Sequence, residues 1–184
     1  AILLSGMEEG AKRTAEIVKG LRIFSRLDES DLKKVNINEG IDSTLILLNS
    51  SMGGRIDVIR DFDDDALVEC FPGKLNQVIM NICNNAIQAM HSVSDGRRGE
   101  LRISTKSQNN EVTISISDNG MGMPEEVRQK IFEPFFTTKA VGQGTGLGLS
   151  IVYSIIESHK GSITVSSEPN KGTNFIIKLP KFQK

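Results

Sequence analysis

Gln77, Asn81, Asn85 and Gln88 fall at steps of four, four and three, so on a helix their amides share one face. Asparagine costs a helix several tenths of a kcal/mol per residue against alanine, yet Asn76, Asn81, Asn84 and Asn85 crowd the same stretch. Amide oxygens one turn apart can ligate a hard cation such as Mg²⁺, which takes oxygen ligands and keeps water and phosphate oxygens around it. A solvated polar face would use the same spacing. Further along, Asp118 ends the alternating run Val112, Ile114, Ile116 and opens Asp118-Asn119-Gly120-Met121-Gly122-Met123-Pro124. A carboxylate at a strand end, followed by glycines that let backbone approach a ligand, can accept a hydrogen bond from an exocyclic amine such as that of adenine; an ordinary turn has the same letters. Third comes Gly142-Gln143-Gly144-Thr145-Gly146-Leu147-Gly148-Leu149, directly before an apolar run at Ile151, Val152, Ile155 and Ile156. Glycines at a helix start free backbone N–H groups to meet phosphate oxygens, and the helix dipole adds to the attraction. The spacing is neither a dinucleotide fingerprint nor a P-loop.

These groups need elements to position them. Pro72 and Gly73 open a helix that runs to about His91, with Leu75, Val78, Ile79, Ile82, Ala86 and Met90 as its buried stripe. A short strand is expected near Lys34 to Ile37, then a helix with Ile41, Leu45 and Leu48 inward, and strands at Ile56 to Arg60 and Leu67 to Glu69. Leu101 and Ile103 pair as a hairpin with Val112 to Ile116 across Ser107 to Asn110. Asp118 to Gly146 lacks periodicity and reads as a long loop of the kind that forms lids. A helix from Leu149 to His159 and strands at Ile163 to Ser167 and Asn174 to Leu179 close the chain. The pattern is α+β, a two-layer α/β sandwich with helices on one face of a sheet.

The division into domains follows the pattern. Residues 1–31 are expected to form a long bundle helix with its seam at Leu3, Met7, Gly10, Thr14, Ile17, Leu21 and Phe24, alternating steps of four and three, and residues 32–184 the sandwich. Such a seam needs a partner helix. With 22 basic against 23 acidic residues, nothing marks nucleic acid as the main partner. Arg97 and Arg98, between Gly96 and Gly99, read as a solvated turn. The two cysteines, Cys70 and Cys83, supply no disulfide framework and lack zinc-site spacing, which favours the cytoplasm. No apolar run approaches the roughly 18 residues of a membrane span. The first residue is Ala, so the chain is expected to be a piece of a longer protein, with any membrane attachment through upstream segments.

Taken in order, and with Ile131-Phe132-Glu133-Pro134-Phe135-Phe136-Thr137-Thr138-Lys139 between the second and third, the segments closely resemble the ATP-binding catalytic domain of sensor histidine kinases, within the group that includes Hsp90, gyrase B and MutL. Asn81 to Ala86 resembles the N box, Asp118 to Gly122 the G1 box, Phe132 to Phe136 the F box and Gly144 to Gly148 the G2 box. Lys171-Gly172-Thr173-Asn174-Phe175 resembles the closing segment whose Thr approaches adenine, and Glu9 to Arg26 the second helix of the dimerisation and phosphotransfer hairpin. The resemblance implies a histidine kinase/Hsp90 ATPase fold with ATP and Mg²⁺ as cofactors. It implies an ATP site of Asn81, Asn85, Gln88, Asp118, Gly120, Gly122, Thr137, Thr138, Lys139, Gly144, Thr145, Gly146, Leu147, Gly148 and Thr173, with Asn85 and Asn81 at the metal. It implies a homodimer through the N-terminal helix and a response-regulator receiver domain as partner.

Departures from the family pattern sharpen the expectation. The acceptor histidine belongs on the first hairpin helix, upstream of Ala1, whereas His91 and His159 both fall within the catalytic domain. Gln88 stands where many relatives carry a Lys or Arg that reaches the phosphates, and Lys139 is the substitute on offer. The reading is a kinase core that donates the γ-phosphoryl group of ATP to an upstream His, for relay to an Asp of a response regulator. The alternatives are an ATP-gated conformational module and a serine kinase of the anti-sigma or mitochondrial dehydrogenase kinase type. The F box and the N-terminal helix favour the first reading, as does Asn81, which stands where the gated ATPases carry a water-activating Glu.

Overall fold

A computed structural model describes residues 31–139 and 145–183. The N-terminal seam and Gly142 to Gly144 lie outside the described residues. The order is β1 (Lys33–Asn36), α1 (Ile37–Met52), β2 (Ile56–Phe62), β3 (Leu67–Cys70), α2 (Pro72–His91), β4 (Gly99–Gln108) and β5 (Glu111–Asp118). It continues through α3 (Glu125–Arg128), α4 (Gly148–Ser158), β6 (Ser162–Glu168) and β7 (Gly172–Pro180).

Local chemistry sets the boundaries. The Asn36 side chain accepts from the Asn38 N–H at 3.0 Å and caps α1, so the chain turns helical one residue earlier than the apolar pattern implies. Pro72 starts α2, where its missing N–H costs nothing. The β4–β5 hairpin turns on Asn109 and Asn110, at φ +51° and +65°, the left-handed pair that a two-residue loop requires and asparagine tolerates. The 118–146 stretch is not wholly irregular: it contains the single turn α3, too short to leave a periodic trace.

The main sheet has order β2-β4-β5-β7-β6, antiparallel except for the parallel β2–β4 pair, while β1 and β3 form a separate two-stranded sheet. Helices α1, α2 and α4 lie side by side, α2 in the middle. The α2 stripe, with Ile41, Leu45 and Leu48 of α1 and Val152 and Ile156 of α4, packs on the inward row Leu101, Ile103, Ile114, Ile116, Phe175, Ile177 and Leu179. Each such side chain removed from water contributes about 1.5–3 kcal/mol. The result is the two-layer α/β sandwich that the sequence pattern implies.

Candidate functional site

Period-two alternation carries the inward row of β5 from Val112 through Ile114 and Ile116 to Asp118, and that of β7 from Leu179 back through Ile177 and Phe175 to Thr173. The register pairs Asp118 with Thr173. The hydrophobic rows therefore end at one edge of the sheet in a carboxylate and a hydroxyl, both buried. Burial pushes the Asp118 carboxyl up to about 6, against the opposing pull of the Gly120 and Thr173 backbone N–H groups. Keeping it ionised at neutral pH costs about 3 kcal/mol relative to a solvated carboxylate. A fold that retains such a group points to a use for it.

Glycines bring backbone close around this carboxylate. The Gly120 N–H donates to Asp118 Oδ1 at 2.8 Å, and a Cβ on Gly120 would lie 2.8 Å from the Ala89 carbonyl carbon of α2. Gly122, at φ +61°, passes over Glu168, whose carbonyl oxygen would lie 2.0 Å from a Cβ there. Ser167 knits the turn to the strands: its Oγ accepts from the Met123 N–H at 2.9 Å, donates to the Gly172 carbonyl at 3.0 Å and lies 3.0 Å from Thr173 Oγ1.

Asn81, Asn85 and Gln88 fall on successive turns of α2 facing α4 and the segment after α3. Asn81 Nδ2 donates to the Gly148 carbonyl at 3.2 Å, tying α2 to the start of α4. Lys139 reaches across: its ammonium donates to Asn85 Oδ1 at 3.3 Å and to Gln88 Oε1. Two amide oxygens one turn apart thus converge on a single positive charge. Asn76 is elsewhere, buried against Gly40 of α1 and away from the amide face.

The N-cap of α4 is Leu147, which makes no side-chain cap, so its side chain does not occupy the first-turn N–H groups. Thr145 Oγ1 accepts weakly from the Leu147 N–H at 3.4 Å. Gly146, at φ +66°, crosses Phe135: a Cβ would lie 2.4 Å from the Phe135 carbonyl carbon, and the Phe135 N–H donates to the Gly146 carbonyl at 2.9 Å. Phe135 itself is at φ +67°, strained for an aromatic residue, and 74% exposed. Phe132 packs on Tyr153 of α4 with ring centroids 5.5 Å apart. Thr137 Oγ1 accepts from the Lys139 N–H at 3.1 Å, and Thr138 is exposed.

The structure thus brings Asp118, Gly120, Gly122 and Thr173 together at the sheet edge, and Asn81, Asn85, Gln88 and Lys139 with Thr145 to Gly148 beside the start of α4; Gly144 lies outside the described residues. Ser167 and Arg97 were missed. A serine in a strand and an arginine in a turn carry no distinctive spacing; both arginines lie exposed in the turn, Arg98 paired with Asp57, and Arg97 in addition donates to two backbone carbonyls. Cys70 and Cys83 are buried, their thiols pushed up to about 12, too high for thiolate chemistry.

A profile described as histidine kinase-, DNA gyrase B- and HSP90-like ATPase matches residues 71–183. The signal transduction histidine-protein kinase AtoS of Escherichia coli (strain K12) is 38% identical over 168 residues, which is 90% of this chain but 26% of AtoS. The catalytic domain of histidine kinase ThkA superposes with a TM-score of 0.71 at 36% identity, covering 82% of this chain and 96% of that one. ThkA in complex with the response regulator protein TrrA gives a TM-score of 0.68 at 30% identity, over 95% of this chain and 49% of that one. The carboxylate-ended sheet, the amide-faced helix and the glycine-led helix are here the parts of a shared architecture, and the chain belongs to the histidine kinase-, DNA gyrase B- and HSP90-like ATPase family.

Proposed function

We propose that the chain is the catalytic core of a cytoplasmic sensor histidine kinase that binds Mg²⁺-ATP and passes the γ-phosphoryl group to a histidine on an upstream helix. The reading rests on the residue matches to named kinases, and one observation of this structure carries it: Lys139 is stationed on Asn85 and Gln88. Gln88 leaves the amide face without a charge, and the lid side supplies one.

Asp118 accepts the adenine amine, with Thr173 and the backbone of Gly120 and Gly122 closing around the base. The open N–H groups of α4 meet phosphate oxygens. Among the described residues no three His, Cys, Asp or Glu side chains converge, so a cation here takes oxygens from Asn85, from Asn81 directly or through water, and from phosphate. Mg²⁺ supplies charge neutralisation on the phosphates when bound. Phosphoryl transfer depends on positioning and charge, which is what these groups provide: Lys139 approaches the phosphates from one side, the α4 terminus from the other. A response-regulator receiver domain is the proposed partner, as in the ThkA complex, with dimerisation through residues 1–31. No helix among the described residues is long and apolar enough to cross a membrane, and two free cysteines suit a reducing compartment.

Incubation with γ-labelled ATP tests the reading. The 184-residue chain alone is expected to bind nucleotide and carry no label, while a longer protein extended upstream gains acid-labile label that Asn85→Ala abolishes together with Mg²⁺-dependent ATP binding. Label on the 184-residue chain removed by His91→Gln or His159→Gln would sink it.

A further inference from the structure

The turn at Gly120 and the turn at Asn170 are far apart in sequence, and both border Asp118. Arg97 joins them. Its Nη1 donates to the Asn170 carbonyl at 2.9 Å and its Nη2 to the Gly120 carbonyl at 3.2 Å. Asp95 orients the guanidinium, with Oδ2 3.4 Å from Nε and Oδ1 accepting the Arg97 N–H at 3.0 Å. The turns also meet directly, since the Asn170 N–H donates to the Met121 carbonyl at 2.7 Å. On the far side of the gripped peptides, the Gly120 N–H holds Asp118 Oδ1, and Gly172 presses on the Asp118 backbone, where a Cβ would lie 1.9 Å from its carbonyl oxygen.

We infer that Arg97 is a positioning residue for base recognition: it fixes the two turns whose separation sets where the Asp118 carboxylate and the Thr173 hydroxyl stand. Arginine suits the task because its planar fork reaches two acceptors at a set spacing, whereas an ammonium serves as a point donor. Its side chain is one third exposed, so the fork is partly sheltered from water. The inference rests on the nucleotide reading and deepens it. The Arg97 guanidinium is engaged by backbone carbonyls, so it acts through Gly120 and Asn170, and loosening them weakens adenine recognition while leaving the Asn85, Gln88 and Lys139 end intact.

Calorimetry with ADP and GDP on the parent, Arg97→Met and Arg97→Lys separates positioning from general support. Arg97→Met is expected to bind ADP several-fold more weakly and to lose most of the ADP-over-GDP preference, with the gain from Mg²⁺ unchanged; Arg97→Lys recovers part of that preference. Asp95→Ala, which leaves the guanidinium in place but unoriented, gives a smaller loss in the same direction and stands in if Arg97→Met does not fold. ADP and GDP weakened alike, or a preference kept in full by either Arg97→Met or Asp95→Ala, would overturn the inference. A parent that binds neither nucleotide would overturn the nucleotide reading and this inference together.

Discussion

Asp118 occupies a position that strand alternation would otherwise give to a hydrophobe, and its burial makes it titrate near 6. The anionic form is the stronger acceptor for an amine, so affinity should be full above about pH 7 and fall as the pH drops through 6. Adenosine is the better probe, because it carries no phosphate to titrate in that range. The expected result is a parent affinity that declines between about pH 7 and about pH 5 and an Asp118→Asn protein that is weaker and flat. Asp118→Asn should also narrow discrimination between ATP and GTP, since an amide is a weaker acceptor and brings a donor of its own; the charge-assisted contact at stake is roughly 1.5–3 kcal/mol. A parent profile without inflection, or an Asp118→Asn protein that rejects GTP as strongly as the parent, places adenine recognition elsewhere.

Among the elements, the segment from Pro124 to Lys139 divides in two. Its first part is pinned: Arg128 Nη1 donates to the Val165 carbonyl at 3.1 Å while the same guanidinium pairs with Glu125, and Ile131 is buried. Its second part, from Thr137 to Lys139, is exposed and held chiefly by the Lys139 ammonium. A nucleotide that gives Lys139 a phosphate partner should slow tryptic cleavage after Lys139 while leaving the slow cleavage after Arg128 unchanged. Equal rates after Lys139 with and without an ATP analogue would count against its phosphate role. The same contrast explains what the sequence revealed. Helix α2 was legible because its apolar stripe and amide face both repeat at helical spacing, and Asp118 because it ends an alternating row; Thr173, one residue before the strand expected at Asn174, was reached only through the resemblance of Lys171 to Phe175 to the family's closing segment. Asn76 shares the residue type of the amide face but packs on Gly40, a neighbour that spacing does not reveal. Arg97 is exposed in its turn as expected, but its grip on Gly120 and Asn170 was not legible because its partners are backbone carbonyls, which every residue carries. The separate β1–β3 sheet depends on register, and the pattern of two four-residue strands does not fix one.

At the scale of the whole molecule, the end of α4 remote from the glycine-led start is locked by His159, fully buried at the helix C-cap. Its Nε2 accepts the Phe71 N–H at 3.1 Å, its Nδ1 donates to the Ile155 carbonyl at 2.7 Å, and the Phe71 ring meets the imidazole edge-on at 5.5 Å. Gln183 Nε2 donates to the His159 carbonyl at 2.9 Å, so one residue ties α4 to the start of α2 and to the end of the chain. An imidazole that accepts on one nitrogen and donates on the other is neutral, and burial lowers its affinity for a proton. The unfolded chain therefore binds the proton more readily: the stability held above about pH 6.5 is lost as the pH falls from there towards the lowered folded value. Asp118 works in the opposite sense, binding its proton more readily when folded, and that relief grows as the pH falls through 6 towards the ordinary carboxylate range. In an Asp118→Asn background the His159 contribution is no longer opposed by that carboxyl. Melting temperature should then drop between about pH 7.5 and about pH 5.5, and a further His159→Gln change should flatten that drop while lowering stability at the higher pH, where the Phe71 N–H loses its partner. An Asp118→Asn protein as stable at the lower pH as at the higher would mean that the imidazole does not couple the two helices in the way its hydrogen bonds imply.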